Sequence, residues 1–383
     1  MYILIVSHGI PSKEDAQWGC FELDQARALS SLGYNVTIAA IDGRFRLLWR
    51  KIGIKTTTFE QIKAYLYFLI PLKAFVFPFL QRRIRARMFD HLFMQIVKEN
   101  GVPDIIYAHY LFTIDSLKVV RKHFPEIPVV GIEHWSELCK SRVPKGLLRC
   151  GKDAYQLVDR LLAVSPSLQE QIKKHFGKES EVVYDMVDQY FLDVPLAKRP
   201  SGNEPFRFAS CGSLIPRKGF DVLIKAFAKI KDSTAELLII GEGPEKEALK
   251  ELSQAEGVAS RVRFLGRIPR EEIAAVYATC SAFALASRAE TFGVSYIEAM
   301  AMGIPAIATP CGGPEHFMND TCGLLVDVDD VTGLTRAMDS VEEHIGDYSP
   351  EAIREYVHSR FSGEVIAKQL EKIFIEEIEK KKS

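Results

Sequence analysis

Two doubly wound α/β domains with a short linker between them are the fold this sequence predicts, and three observations predict it. Short apolar runs alternate with helical patterns through both halves of the chain. A segment without periodicity separates the halves. The length, 383 residues, suits two or three domains of about 150 residues each. In the first half YILIVS, NVTIAAI, DIIYAH, PVVGIEH and RLLAVS read as strands, divided by patterns such as CFELDQARALSSLG. In the second half FRFASCG, ELLIIG, VRFLG, AFALAS and PAIAT alternate with DVLIKAFAKI, PEKEALKELSQAEG, REEIAAVYATC and SYIEAMAMG. Runs of this kind, apolar on both faces and each followed by a helix, imply parallel sheets covered by helices on both sides. The separator is AKRPSGNEP, Ala197–Pro205, where Pro, Gly, Ser and charge replace any pattern. The expected organisation is a first domain over 1–196, a linker over 197–204, a second domain over 205–361 and a C-terminal helix over 362–383 that crosses back to the first domain.

Composition narrows the function. Hydrophobic residues make up 47% of the chain and charged residues 26%, which excludes a disordered or fibrous protein. A net charge of −1 argues against a nucleic-acid binder, which is usually basic over a whole domain. Seven cysteines without a C-x-x-C pair read as scattered thiols of a cytoplasmic protein, with no disulfide framework and no zinc site. MYILIVSHGI lacks the basic lead-in of a signal peptide. The apolar run Ala64–Leu80 is interrupted by Pro71, Lys73 and Pro78 and is too short to span a bilayer.

Charge is unevenly spread. Residues 44–98 hold twelve cations against Glu60 and Asp90, a local balance of +10, so the rest of the chain carries −11. The cations interleave with Phe45, Leu47, Leu48, Trp49, Tyr65, Tyr67, Phe68, Phe75, Phe77 and Phe79. Basic residues among large apolar ones suit contact with an anionic membrane surface. The plainer reading is a pair of solvated helices whose aromatics fill the core.

The segment richest in chemistry is Ser287–Gly313, SRAETFGVSYIEAMAMGIPAIATPCGG. It reads as a strand end, a polar turn, a helix opening near Gly293, a stop at Gly303 and another strand. A helix start after a glycine turn offers free N–H groups and a positive dipole to a phosphate. Glu290 in the turn and Glu298 in the helix cannot favourably contact phosphate, but they can accept hydrogen bonds from ribose or hexose hydroxyls.

Two glutamates separated by seven residues, with F-G between them and E-A-M-A-x-G-x-P after, resemble the donor-binding signature of the retaining glycosyltransferases of family 4, which have the GT-B fold. The resemblance covers essentially the whole chain. GSLIPRKGFDVLI (Gly212–Ile224), LLIIGEGPEKEALKEL (Leu237–Leu252) and RVRFLGRIPREEIAAVYATC (Arg261–Cys280) match successive segments of the family's C-terminal domain. The resemblance implies two Rossmann-like domains whose sheets face a central cleft, with closure about the linker to exclude water. It implies that Lys218 and Arg217 neutralise a nucleotide diphosphate. Backbone N–H groups of Phe292, Gly293 and Val294 would bind the same phosphates. Glu298 would hold the ribose and Glu290 the transferred sugar, while Leu265 and Gly266 would meet the base. Gly19 would face the donor phosphates from the first domain, His109 would stand near the transferred sugar, and His134 would line the acceptor side. Lys218, Glu290 and His109 are the expected catalytic residues. The chain has Cys20, Ser213 and Thr291 where relatives commonly have Gly, Arg and Gly.

The resemblance thus implies a hexosyltransferase acting with retention from a nucleotide-sugar, UDP favoured over GDP, onto a hydroxyl of a lipid-linked or glycan acceptor. Such an enzyme would serve cell-surface polysaccharide synthesis from the inner face of the membrane, with neither cofactor nor metal. A sugar-nucleotide epimerase of the same fold and a non-catalytic partner subunit are the alternatives. Asp327, Asp329 and Asp330 contain a D-x-D spacing used by other transferases for manganese, but a strand-to-helix turn makes an N-cap the ordinary reading. Gly241 and Gly243 in GEGPE read as turn glycines, and Arg149 and Lys152 as surface charge.

Overall fold

The structure, a computed structural model, describes residues 1–12, 18–42, 53–68, 78–139, 143–199 and 204–383. It divides into two compact units, Met1–Tyr184 with Gly363–Ser383, and Asp185–Ser362.

The first unit is built on a sheet of eight strands among the described residues: β1 (Tyr2–Ser7), β2 (Asn35–Asp42), β3 (Gly53–Phe59), β4 (Ile62–Phe68), β5 (Ile105–His109), β6 (Val129–Glu133), β7 (Arg160–Ala163) and β8 (Glu181–Val182), in the order β3-β4-β2-β1-β5-β6-β7-β8. Every pairing is parallel except β3 with β4. The chain leaves β1 on one side through β2 and on the other through β5, so β1 lies where the winding reverses. In open α/β sheets that reversal opens a crevice at the carboxyl ends of the strands. Ile3, Leu4 and Ile5 are fully buried, as a central strand covered on both faces requires.

The second unit repeats the arrangement with β9 (Arg207–Cys211), β10 (Glu236–Ile240), β11 (Val262–Gly266), β12 (Ala282–Ala284), β13 (Ala306–Ala308) and β14 (Gly323–Leu325), ordered β11-β10-β9-β12-β13-β14 and parallel throughout. Here β9 is the reversal strand. Phe208, Phe227, Phe283 and Tyr296 are fully buried around it.

The ten strand-like runs of the sequence all appear. The unexpected elements are the short strands β8 and β14 and the β3–β4 hairpin. GIKTTTF and IKAYLYF are rich in the β-branched and aromatic residues that favour strands. The basic stretch therefore supplies a hairpin and one long helix, Pro78–Asn100, in place of two solvated helices. Tyr65, Phe89 and Phe93 of this stretch are buried, while Phe45, Leu47, Leu48, Trp49, Phe75 and Phe77 and the side chain of Phe79 lie outside what is described. Arg82 is half-buried and ion-paired with Asp115 (2.6 Å) and Asp153 (2.8 Å); Arg83 and Arg87 are exposed. No helix among the described residues is long and apolar enough to cross a membrane.

By its internal contacts the chain passes from the first unit to the second ahead of the Pro- and Gly-bearing segment. Ala197 N–H donates to Met302 O (2.9 Å) and Lys198 N–H to Ala278 O (3.3 Å), so the start of the expected linker is fastened to the second unit and the crossing falls at Tyr184–Asp185. The return falls at Ser362–Gly363. The helix Gly363–Lys382 belongs to the first unit, where Glu371 accepts from the Tyr34 hydroxyl and Glu376 pairs with Arg160 at 2.5 Å.

Candidate active site

In the second unit the loop after β9 carries the cations. Pro216–Lys218 forms a single 3-10 turn that ends at Gly219, whose φ is +64°. A Cβ there would lie 1.8 Å from Ala286 O, so only glycine lets this loop pack against the end of β12. The contact aligns Lys218 with the loop that follows β12. Lys218 Nζ lies 2.5 Å from Glu290 Oε1, and the Ser287 hydroxyl donates to the same oxygen at 2.6 Å. Arg217 Nη1 stands 4.0 Å from Glu290 Oε2 and donates to Ala289 O at 3.1 Å. The structure thus joins Lys218 to Glu290, which the sequence places 72 positions apart.

Three residues beyond Glu290, Gly293 takes a φ of +107° and caps the helix Val294–Ala301. Phe292 is buried against Phe317 and Phe361. A Cβ on Gly313 would fall 2.1 Å from Phe292 O, so the C-G-G turn after β13 presses directly on the backbone at this helix start. Glu298 is buried on the inner side of the same helix. It lies near Cys211 at the end of β9, whose thiol is pushed up to about 12 by burial first and by the Glu298 charge second. Leu265 and Gly266 end β11 on the same carboxyl edge of the sheet, and Gly266 O accepts from Gly241 N–H at 2.8 Å. They stand two strands from β9, with no direct bond to the Lys218–Glu290 pair. Gly241 and Gly243 approach the backbone of Gly212 and Leu214 within 1.9 and 2.2 Å of a hypothetical Cβ, which is turn packing. Asp330 caps its helix by accepting from Gly333 N–H at 2.8 Å, and Asp329 pairs with Arg288 at 2.7 Å.

The first unit assembles a different cluster at the ends of β1, β5 and β6. Gly19 (φ +81°) caps the helix Cys20–Ser31 and would place a Cβ 2.3 Å from Gly9 O. His109 and His134 stack with ring planes 2° apart, and His109 Nδ1 lies 3.1 Å from His134 Nε2. Burial pushes His109 down to about 3, so it is a neutral ring at pH 7. Glu133 beneath them accepts from Leu111 N–H (3.0 Å) and the Tyr155 hydroxyl (2.8 Å), and burial raises its carboxyl. The sequence pattern singles out neither His8 nor Glu22. His8 Nδ1 lies 2.5 Å from Glu22 Oε1, and the Ser7 hydroxyl donates to that oxygen at 3.0 Å. The available signal is a glutamate on the buried stripe of the first helix, shared with Ala26 and Leu29.

Known proteins resemble the chain over most of its length. Residues 23–189 match the model of Glycosyltransferase Family 4 and residues 196–360 that of Glycosyl transferases group 1. The lipopolysaccharide core biosynthesis glycosyltransferase LpsE of Rhizobium meliloti is 32% identical over 263 residues, 64% of this chain and 74% of that protein. The chain belongs to the family 4 glycosyltransferases. Another relative, the GDP-mannose-dependent alpha-(1-6)-phosphatidylinositol monomannoside mannosyltransferase of Mycolicibacterium smegmatis, is 37% identical over 135 residues, 33% of this chain and 35% of that one. Among solved structures, Anabaena HepE in complex with UDP and glucose superposes with a TM-score of 0.74 at 20% identity, covering 98% of this chain and 100% of that one. That likeness shows the GT-B fold. This glycosyltransferase therefore carries its two clusters at equivalent places in its two sheets.

Proposed function

We propose that this glycosyltransferase moves a hexose from UDP-hexose, with retention, to a hydroxyl of a lipid-linked or glycan acceptor in cell-surface polysaccharide synthesis. The single observation carrying the donor assignment is the Lys218–Glu290 pair beside the Gly293 helix start, at the reversal strand of the second sheet. An ammonium has three N–H donors, so Lys218 can keep Glu290 and still meet a phosphate oxygen. In this reading Lys218, Arg217 and the N–H groups of Phe292, Gly293 and Val294 stabilise the leaving diphosphate. Glu290 accepts from the hexose hydroxyls, Glu298 holds the ribose, and Leu265 with Gly266 borders the base. Preorganised cations and helix dipoles supply the neutralisation for which other transferases recruit a metal. Gly19, His109 and His134 serve the sugar and acceptor from the first unit.

A solved protein of the same fold holds UDP and a relative is GDP-mannose-dependent, so both bases are tested, UDP first. The exposed Arg83 and Arg87, with Leu80 half-exposed on the same helix, support contact with an anionic membrane surface. The test is release of nucleoside diphosphate from UDP- and GDP-hexoses with and without a glycan acceptor. Acceptor-dependent release from a UDP-sugar is the expected result. Release only from GDP-sugars would reassign the base, and release unaffected by any acceptor would favour the epimerase reading.

A further inference from the structure

Glu22 is a carboxylate in the wrong place for a merely structural residue. It is 1% exposed on the first helix, among Leu23, Ala26 and Leu29. Burial alone would raise its carboxyl, yet the close contact with His8 outweighs that and holds it well below the usual carboxylate range. Isolating a charge from water is costly unless its partners recover the loss. The recovery here is incomplete: Glu22 Oε2 is buried with no hydrogen-bond partner among the described residues. One turn along, Gln25 is also buried, and neither of its amide atoms has such a partner. A carboxylate needed only for packing would be better replaced by an apolar side chain.

What the carboxylate does achieve is to fix His8. An ionised carboxylate only accepts hydrogen bonds, so the 2.5 Å contact puts the proton on His8 Nδ1 and leaves Nε2 with its lone pair in the neutral ring. The ring is held edge-on by Trp18 and Tyr110 at 4.4 and 4.7 Å. Its side chain remains 24% exposed, and no described residue hydrogen-bonds Nε2. Tyr110 itself takes a φ of +65°, an uncommon conformation for a non-glycine residue. The cluster stands at the carboxyl end of β1, the reversal strand of its sheet, where such folds bind ligands.

We propose that His8 is a hydroxyl-binding subsite for the glycosyl acceptor, its Nε2 accepting a hydrogen bond from an alcohol of a sugar or polyol, with Glu22 the positioning residue that sets its tautomer. This rests on the reading that the first unit takes the acceptor.

The test uses the full chain with 15N-labelled histidine, and n-octyl β-D-glucopyranoside as the hydroxyl-bearing probe. In the free protein the His8 Nε2 resonance should have the position of an unprotonated nitrogen, and it should move on titration with the glucoside. Glu22→Gln should mix the tautomers and weaken the glucoside response at least about threefold, with Glu22→Asp restoring part of it. Calorimetry should find UDP binding within twofold of wild type in both variants. An Nε2 that carries the proton in the free protein, or that stays unmoved by the glucoside, overturns the proposal. UDP binding then tells the failures apart: if UDP still binds, only this subsite falls, and if it does not, the donor assignment falls as well.

Discussion

The carboxyl ends of β1 and β9 are topologically the same place in two sheets, and they hold opposite chemistry. At β9 a lysine and an arginine converge on a carboxylate beside a helix start, which concentrates positive potential for a diphosphate. At β1 a buried carboxylate lies under three imidazoles, a site without a permanently charged cation that suits hydroxyls. The topology fixes where a ligand can bind, and the side chains on the first loop decide what it is.

Breaking the cationic end should have the largest effect. Lys218→Ala is expected to lower turnover at least about 100-fold, the usual scale for losing one charge-stabilising group, measured as nucleoside diphosphate release. Gly219→Ala should be next: the added Cβ meets Ala286 O and needs an unfavourable positive φ. Thermal unfolding should show a loss of about 2 kcal/mol or more. The pH response sharpens the other end. His109 is held at about 3 against an ordinary 6.5, so below pH 6.5 the unfolded chain binds a proton that the folded chain refuses. Stability is complete above pH 6.5 and falls from there toward pH 3, by up to ~1.4 kcal/mol per pH unit. His109→Gln should reduce that slope in melts between pH 7.5 and 4.5.

Smaller effects should follow at the supports. Arg288 grips Asp221 through two bonds of 2.8 and 2.9 Å, and its N–H donates to Arg217 O. Arg288→Lys loses the two-pronged contact and should raise the KM for the UDP-sugar about five- to tenfold with little change in kcat. Neutralising Arg83 and Arg87 should weaken retention on anionic vesicles about fivefold for each, at about 1 kcal/mol per cation.

The strands around both reversal points were legible because each is a short apolar run ended by glycine or a polar turn, as in YILIVS and FRFASC. Glu290, Glu298 and Lys218 stood out through their spacing with F-G and within the glycine-bearing loop, and the structure brings Lys218 and Glu290 together. The β3–β4 hairpin was obscured because its threonines and aromatics sit among lysines and arginines, so charge dominated the pattern. His8 and Glu22 were hidden for another reason. Their meaning is a contact across fourteen positions, and neither residue type is unusual where it stands. The contact boundary at Tyr184–Asp185 was not legible, because Pro and Gly mark a break in periodicity and not the point at which the backbone begins to find its partners in the next unit.

The central claim is that the donor's diphosphate rests on the second unit, held by Lys218 at the start of the Gly293 helix. Calorimetric titration of UDP into wild type and Lys218→Ala tests it most directly. At least tenfold weaker binding by the variant is the expected result, and equal affinity in the two proteins would contradict it.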